Sequence, residues 1–181
     1  MKDLQSLGEK ERAIVEERRR TGYRVDRLTR FGGDLEPVLR TLIARLLPGV
    51  EVDVDLAAFA DTHAEHTLGR GDRAPGVPPV PQLLRQGLEI LARRGFANAP
   101  ESEQDALIAR MRRGEADTAL GLPAKEFVDR LLMLALAGYL SHPDTWEKIG
   151  FTGPAYPEGY AWISPWAAAR RHEGFAGAGR L

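Results

Sequence analysis

The sequence PAKEFVDRLLMLALAGYLS, residues 123–141, decides the fold of this chain. Its second half is apolar nearly all round, and the run is too short to cross about 30 Å of hydrocarbon. Core-like spacing of three and four residues is shared by Phe127, Leu131, Leu134, Ala135 and Gly138. We therefore predict that this segment forms a buried central helix, which ends at His142-Pro143 because proline disfavours α geometry in the residue before it.

Helical spacing also marks the segments on the N-terminal side, whereas no run alternates as a strand does. These segments cover residues 9–20, 34–47, 53–69, 81–94 and 98–114. Asp34 is predicted to cap the second helix, while Gly95 and Gly114 are predicted to end the last two. The pattern indicates an all-α, single-domain helical bundle of about five to six helices. We divide the chain into a polar N-terminal helix or arm (1–30), the bundle (31–141) and an extended C-terminal strap with a flexible tail (142–181).

Composition narrows the possible functions. The 181 residues suffice for one domain with a substantial core. With 25 Lys and Arg against 26 Asp and Glu, the chain has no excess of positive charge for nucleic acid or an anionic membrane. The sequence contains no cysteine, which excludes disulfides, thiolate nucleophiles and thiolate-bound metals.

The aromatic residues concentrate in SHPDTWEKIGFTGPAYPEGYAWISPW, residues 141–166, which holds all three tryptophans, four prolines and three glycines. Leaving its six large aromatic side chains exposed would forfeit on the order of 10 kcal/mol of burial. They must therefore cover something: the chain's own bundle, another protein, or a pocket for a small molecule. Composition by itself leaves the first two alternatives open, because tryptophan and tyrosine favour both cores and interfaces.

One histidine cluster is a candidate for metal chemistry. In DTHAEH, residues 61–66, His63 and His66 are three positions apart on a predicted helix and could share an ion with Asp61. Polar residues on a partly exposed helix are the favoured interpretation, because no further histidine pair lies near in the sequence. A small metal-dependent enzyme using these residues remains one alternative function, and a free-standing helical protein with no partner is another.

The stretch WEKIGFTGPAYPEGY, residues 146–160, follows the pattern W-x-x-I-G-F-x-G-P-x-Y-P-x-G-Y. With this motif, and with weaker marks from Phe31 onward, the chain resembles the gluconate 2-dehydrogenase subunit 3 family. These are small subunits of bacterial flavin-dependent sugar dehydrogenases of the glucose-methanol-choline class. The resemblance implies a non-catalytic accessory subunit, similar in role to a chaperone, that binds and stabilises a large oxidoreductase subunit.

In that interpretation FAD and the oxidation of a sugar or glycoside belong to the large subunit, and this chain holds no catalytic, cofactor or metal residue. We expect a hetero-oligomer without membrane insertion. The residues that we predict to anchor the partner are Trp146, Ile149, Phe151, Tyr156, Tyr160 and Trp162.

The location of such a complex depends on an export signal. Family members often carry a twin-arginine signal, but no apolar run follows Arg18 to Arg20 here. We therefore expect a cytoplasmic complex. The alternative is a periplasmic complex, exported with the partner or after removal of a signal.

Overall fold

The computed structural model describes residues 8–65 and 74–151. Within these ranges the chain forms eight α-helices and no strand, which confirms the predicted all-α bundle. In chain order the helices are α1 (Glu9–Thr21), α2 (Leu35–Leu46), α3 (Leu56–His63), α4 (Val80–Arg93), α5 (Glu101–Arg112), α6 (Asp117–Leu120), α7 (Ala124–Ser141) and α8 (Pro143–Lys148). A 3-10 turn, Phe96–Asn98, stands between α4 and α5.

Six of these helices correspond to predicted segments, and the short α6 and α8 are additional. The expectation of extended chain from residue 142 onward is wrong at its start, because Pro143 opens a helix instead. Proline fits the first turn of a helix, where its missing N–H is not needed, and the Thr145 N–H donates to the carbonyl of His142 at 3.0 Å. The rest of the predicted strap lies outside the described residues, and the three-part division of the chain stays a prediction.

Helix ends follow local chemistry with one exception. Gly95 and Gly114, which follow α4 and α5, have φ angles of 70° and 73°, so the predicted stops are confirmed. Asp34 is not the cap that we predicted, because its backbone is already helical and its side chain makes no capping hydrogen bond. The carboxylate that does cap a helix is that of Asp55, which accepts the N–H of Ala58 at 2.9 Å at the start of α3.

The core surrounds α7, which contacts α2, α3, α4 and α5. All five residues predicted for its inner face are buried, so the central helix is confirmed. Apolar side chains with no exposed area come from five of the helices: Leu39, Leu42, Ala58, Ala60, Leu83, Leu84, Leu88, Met111, Ala124, Phe127, Val128, Leu131 and Ala135. No described helix is both long enough and apolar enough to cross a membrane.

Two glycines set how closely α3 and α4 approach α7. A Cβ atom on Gly87 of α4 would lie 2.4 Å from ring carbons of Phe127, whose side chain is fully buried. A Cβ atom on Gly138 of α7 would lie 2.8 Å from the ring of Phe59 in α3. Both distances are far below van der Waals contact. The rings of Phe127 and Phe59 therefore pack directly against the backbone of the two glycines, where no side chain would fit.

Replacing either glycine by alanine should therefore destabilise the fold. Although alanine favours a helix over glycine by about 1 kcal/mol, overpacking of this kind costs about 1–3 kcal/mol and more where the ring cannot move. We expect Gly87→Ala and Gly138→Ala to lower the free energy of unfolding by about 1–2 kcal/mol in urea titrations. Ser102→Ala, at an exposed position of α5, is the matched control and should change it by less than about 0.5 kcal/mol. Unchanged stability in both glycine variants would contradict the close approach.

Candidate partner-binding surface

The outer face of α7 is apolar but is not covered by any described part of the chain. Met133 and Leu140 are seven residues apart, so they share this face, and their side chains are 51% and 43% exposed. Leu136 and Ala137 lie between them on the helix and are partly exposed. An exposed apolar stripe on the central helix of a bundle marks a surface that a partner can cover.

Helix α8 and the turn that follows it, residues 149–151, extend this stripe. The indole Nε1 of Trp146 donates to the carbonyl of Leu140 at 3.1 Å, which ties α8 to the end of α7. The rings of Trp146 and Phe151 meet edge to face with centroids 5.3 Å apart. Ile149 and Phe151 are 51% and 45% exposed. We call Met133, Leu140, Trp146, Ile149 and Phe151 the α7–α8 surface.

The structure thus describes three of the six predicted anchors, Trp146, Ile149 and Phe151, and places them on one helix and its C-terminal turn. The other three, Tyr156, Tyr160 and Trp162, lie outside the described residues, so their role stays a prediction. Sequence reasoning missed the two α7 members of the surface. The signal was present in the sequence, since the second half of α7 is apolar nearly all round, but we interpreted it as complete burial.

Ion pairs hold α8 in place from two sides. Arg19 of α1 approaches the carboxylate of Asp144 at 2.8 Å, and Lys148 donates to Glu51, from the segment between α2 and α3, at 2.6 Å. The Lys148 ammonium lowers the pKa of Glu51, chiefly through this hydrogen bond. Between the two pairs Thr145 is fully buried. The exposed side chains of α8 are therefore presented by an element with fixed orientation.

Asp61 and His63, the two described members of the histidine cluster, both contact the fold. The Asp61 carboxylate is 2% exposed and accepts the backbone N–H groups of Thr29, Arg30 and Phe31 at 2.9, 2.8 and 2.7 Å. The ring of His63 stacks on Phe59 with centroids 4.0 Å apart.

His66 lies outside the described residues, and within 8–65 and 74–151 no three potential ligands group around a metal position. Asp61 instead organises the turn that leads into α2, because one carboxylate accepts three backbone N–H groups, of which that of Phe31 is buried.

A groove of about 510 Å³ lies between α2 and the segment that joins α2 to α3. Its floor is apolar, and two arginines line it. Arg24 pairs with Asp53, and Arg40 pairs with Asp55 and Glu36, so both cations serve to connect the walls of the groove. The pKa of Arg40 is raised, mainly by its hydrogen bond to Asp55. Burial acts in the opposite direction, and the hydrogen bond to Glu36 adds to the increase.

The described residues thus form a helical bundle that keeps an apolar surface beside an anchored short helix, which is typical of an interaction surface. Residues 35–153, more than half of the chain, match the protein family described as Gluconate 2-dehydrogenase subunit 3. The chain belongs to this family, so the resemblance seen in the sequence is confirmed. Neither a curated protein nor a solved structure matches the chain. The matched residues include all of α2 to α8 and the whole α7–α8 surface.

The assignment of Asp61 to the fold can be tested by mutation. Asp61→Ala leaves three backbone donors without an acceptor, and we expect a loss of about 3 kcal/mol or more in the free energy of unfolding. Asp61→Asn keeps the shape and one acceptor oxygen, so its loss should be smaller. His63→Ala should leave the metal content of the purified chain unchanged, as measured by plasma mass spectrometry. A stoichiometric metal that His63→Ala removes would restore the enzyme alternative.

Proposed function

We propose that this chain is the non-catalytic small subunit of a flavin-dependent dehydrogenase, and that its α7–α8 surface binds the large subunit. The large subunit would be an FAD-dependent oxidoreductase of the glucose-methanol-choline class acting on a sugar or glycoside. Membership of the gluconate 2-dehydrogenase subunit 3 family is the observation that carries this proposal. In it the large subunit holds the FAD and oxidises the substrate, while this chain stabilises the large subunit.

The exposed apolar side chains support the choice of surface. The bundle already has a closed core around α7, so Met133, Leu140, Ile149 and Phe151 are not needed to complete it. Side chains of this kind gain stability only when another surface excludes water from them, at about 25 cal/mol for each Å² of apolar area. A partner surface that is apolar at its centre fits this requirement.

Trp146 is suited to the centre of such an interface. Its Nε1 is already satisfied by the carbonyl of Leu140, so a partner can cover the indole without leaving a buried donor unpaired. Its contact with Phe151 holds both rings in one arrangement, which reduces the side-chain entropy lost on binding. Large aromatic residues fixed in this way are the side chains that dominate binding free energy in measured interfaces.

The proposal predicts that charges on the α7–α8 surface will block assembly. We expect Leu140→Asp and Ile149→Asp each to weaken binding about tenfold or more, because a carboxylate buried at an apolar interface is left unpaired. The chain would be co-expressed with the large subunit encoded nearest to it. The measurements are co-purification of the two chains, the absorption spectrum of the bound flavin, and the rate at which the complex reduces a dye when sugar is added.

Val25→Asp is the matched control, since Val25 is 45% exposed but lies between α1 and α2. It should bind as the unmodified chain does. Circular dichroism must first show that every variant is folded. Full-strength capture of the large subunit by folded Leu140→Asp and Ile149→Asp variants would reject this surface, and failure of the unmodified chain to bind would reject the proposed function itself.

A further inference from the structure

A histidine is buried where α1, α7 and α8 meet. His142 separates α7 from α8, and its side chain is only 1% exposed. Its Nδ1 atom accepts the backbone N–H of Asp144 at 3.3 Å. An imidazole nitrogen accepts a hydrogen bond only when it carries no proton, so this contact requires the neutral ring with its proton on Nε2. Neutral His142 thereby supplies an acceptor for the first turn of α8.

The ring of His142 faces α1 through Tyr23, which follows the end of that helix. The two rings meet edge to face with centroids 5.9 Å apart. The Tyr23 hydroxyl also pairs with the Oγ of Ser141 at 2.9 Å. Tyr23 has a φ of 62° and is the one non-glycine residue of the described ranges in the left-handed region. Since that conformation is unfavourable for tyrosine, the contacts at this junction must stabilise it.

The junction would not accommodate a charge on the ring. The Nε2 of His142 and the Oγ1 of Thr145 are buried and have no hydrogen-bond partner among the described residues. Burial is the main cause that lowers the pKa of His142, and the cation of Arg19 adds to it. The carboxylates of Asp144 and Asp53 and the backbone of Arg18 act in the opposite direction but do not outweigh burial.

We propose that His142 is a proton-sensitive latch that holds α8 against α1 while its ring is neutral and releases α8 when the ring is protonated. Protonation at Nδ1 turns the acceptor for the Asp144 N–H into a donor, so that hydrogen bond is lost. It also places a cation in a buried position beside Arg19. Because Trp146, Ile149 and Phe151 lie on α8 and its C-terminal turn, acidification alters three of the five residues of the α7–α8 surface.

The sign of the pH effect follows from the lowered pKa. As the pH falls, the unfolded chain, in which histidine has its ordinary pKa near 6.5, takes up the proton before the folded chain does. The stability that His142 contributes is therefore fully present above about pH 6.5. It declines as the pH falls from there toward the folded-state pKa. Most carboxylates titrate at lower pH, so this window isolates histidine.

The first test measures the melting temperature of the full-length chain by differential scanning fluorimetry between pH 7.5 and 5.5. We expect the unmodified chain to lose about 2–4 °C across this range. His142→Gln retains an acceptor for the Asp144 N–H but cannot be protonated, so its melting temperature should be nearly constant over the same range. His63→Gln, which changes the histidine stacked on Phe59, is the matched control and should keep the slope of the unmodified chain.

A second measurement does not depend on the variant being folded. Hydrogen exchange of the unmodified chain, corrected for the intrinsic effect of pH, should show several-fold lower protection of the peptide covering residues 142–151 at pH 5.5 than at pH 7.5. The α4 peptide should keep its protection. An equal slope in His142→Gln, or unchanged protection of residues 142–151, would overturn the latch.

The consequence for assembly rests on the proposed function, but these measurements on the free chain do not. If the latch holds and a partner is found, its affinity should fall between pH 7.5 and 5.5 in the unmodified chain and stay level in His142→Gln. If no partner binds at any pH, the proposed function fails while the latch stands.

Discussion

The close packing of α7 against α3 and α4 is the constraint on which the rest of the structure depends. At Gly138 and Gly87 the helices approach to distances that no side chain could occupy. This closeness lets Phe59 and Phe127 fill the space beside the opposing backbone and exclude water from the centre of the bundle. Since α7 is enclosed on this side by its neighbours, its opposite side faces outward at Met133 and Leu140.

The positions of the remaining elements follow from that orientation of α7. Because α7 ends at Ser141 beside α1, the chain turns through buried His142 and begins α8 in contact with the first helix. Ion pairs from Arg19 and Lys148 then fix α8 so that its apolar side chains continue the outer face of α7. A single apolar surface thus arises from two helices, and the orientation of its α8 part depends on the contact of α8 with α1. The same arrangement makes the junction sensitive to the protonation of one ring.

The structure corrects the sequence predictions at Asp34 and Pro143 and gives Asp61 a role in the fold. Asp61 was a metal ligand only in the alternative that we did not favour, and its carboxylate accepts backbone N–H groups from a turn 30 residues earlier in the chain. Asp34 resembled a helix cap by position, but Asp55 is the residue whose carboxylate reaches a free N–H. The C-terminal prolines suggested extended chain, whereas Pro143 begins α8. The Asp61 contact joins distant parts of the chain, which a local pattern cannot predict. The errors at Asp34 and Pro143 are local, because each residue type fits more than one position near the start of a helix.

The fold class, the approximate bounds of six helices and the inner face of α7 could be predicted from the amino-acid sequence, because helical periodicity and the glycine and proline boundaries are local properties. Its closing motif also identified the family. Three features could be seen only in the folded chain: Met133 and Leu140 face outward, Asp61 bonds a turn of the fold, and His142 is buried. Periodicity shows which residues of a helix share a face, but which faces are covered depends on the number and placement of the neighbouring helices, and those are set by packing between segments distant in the chain.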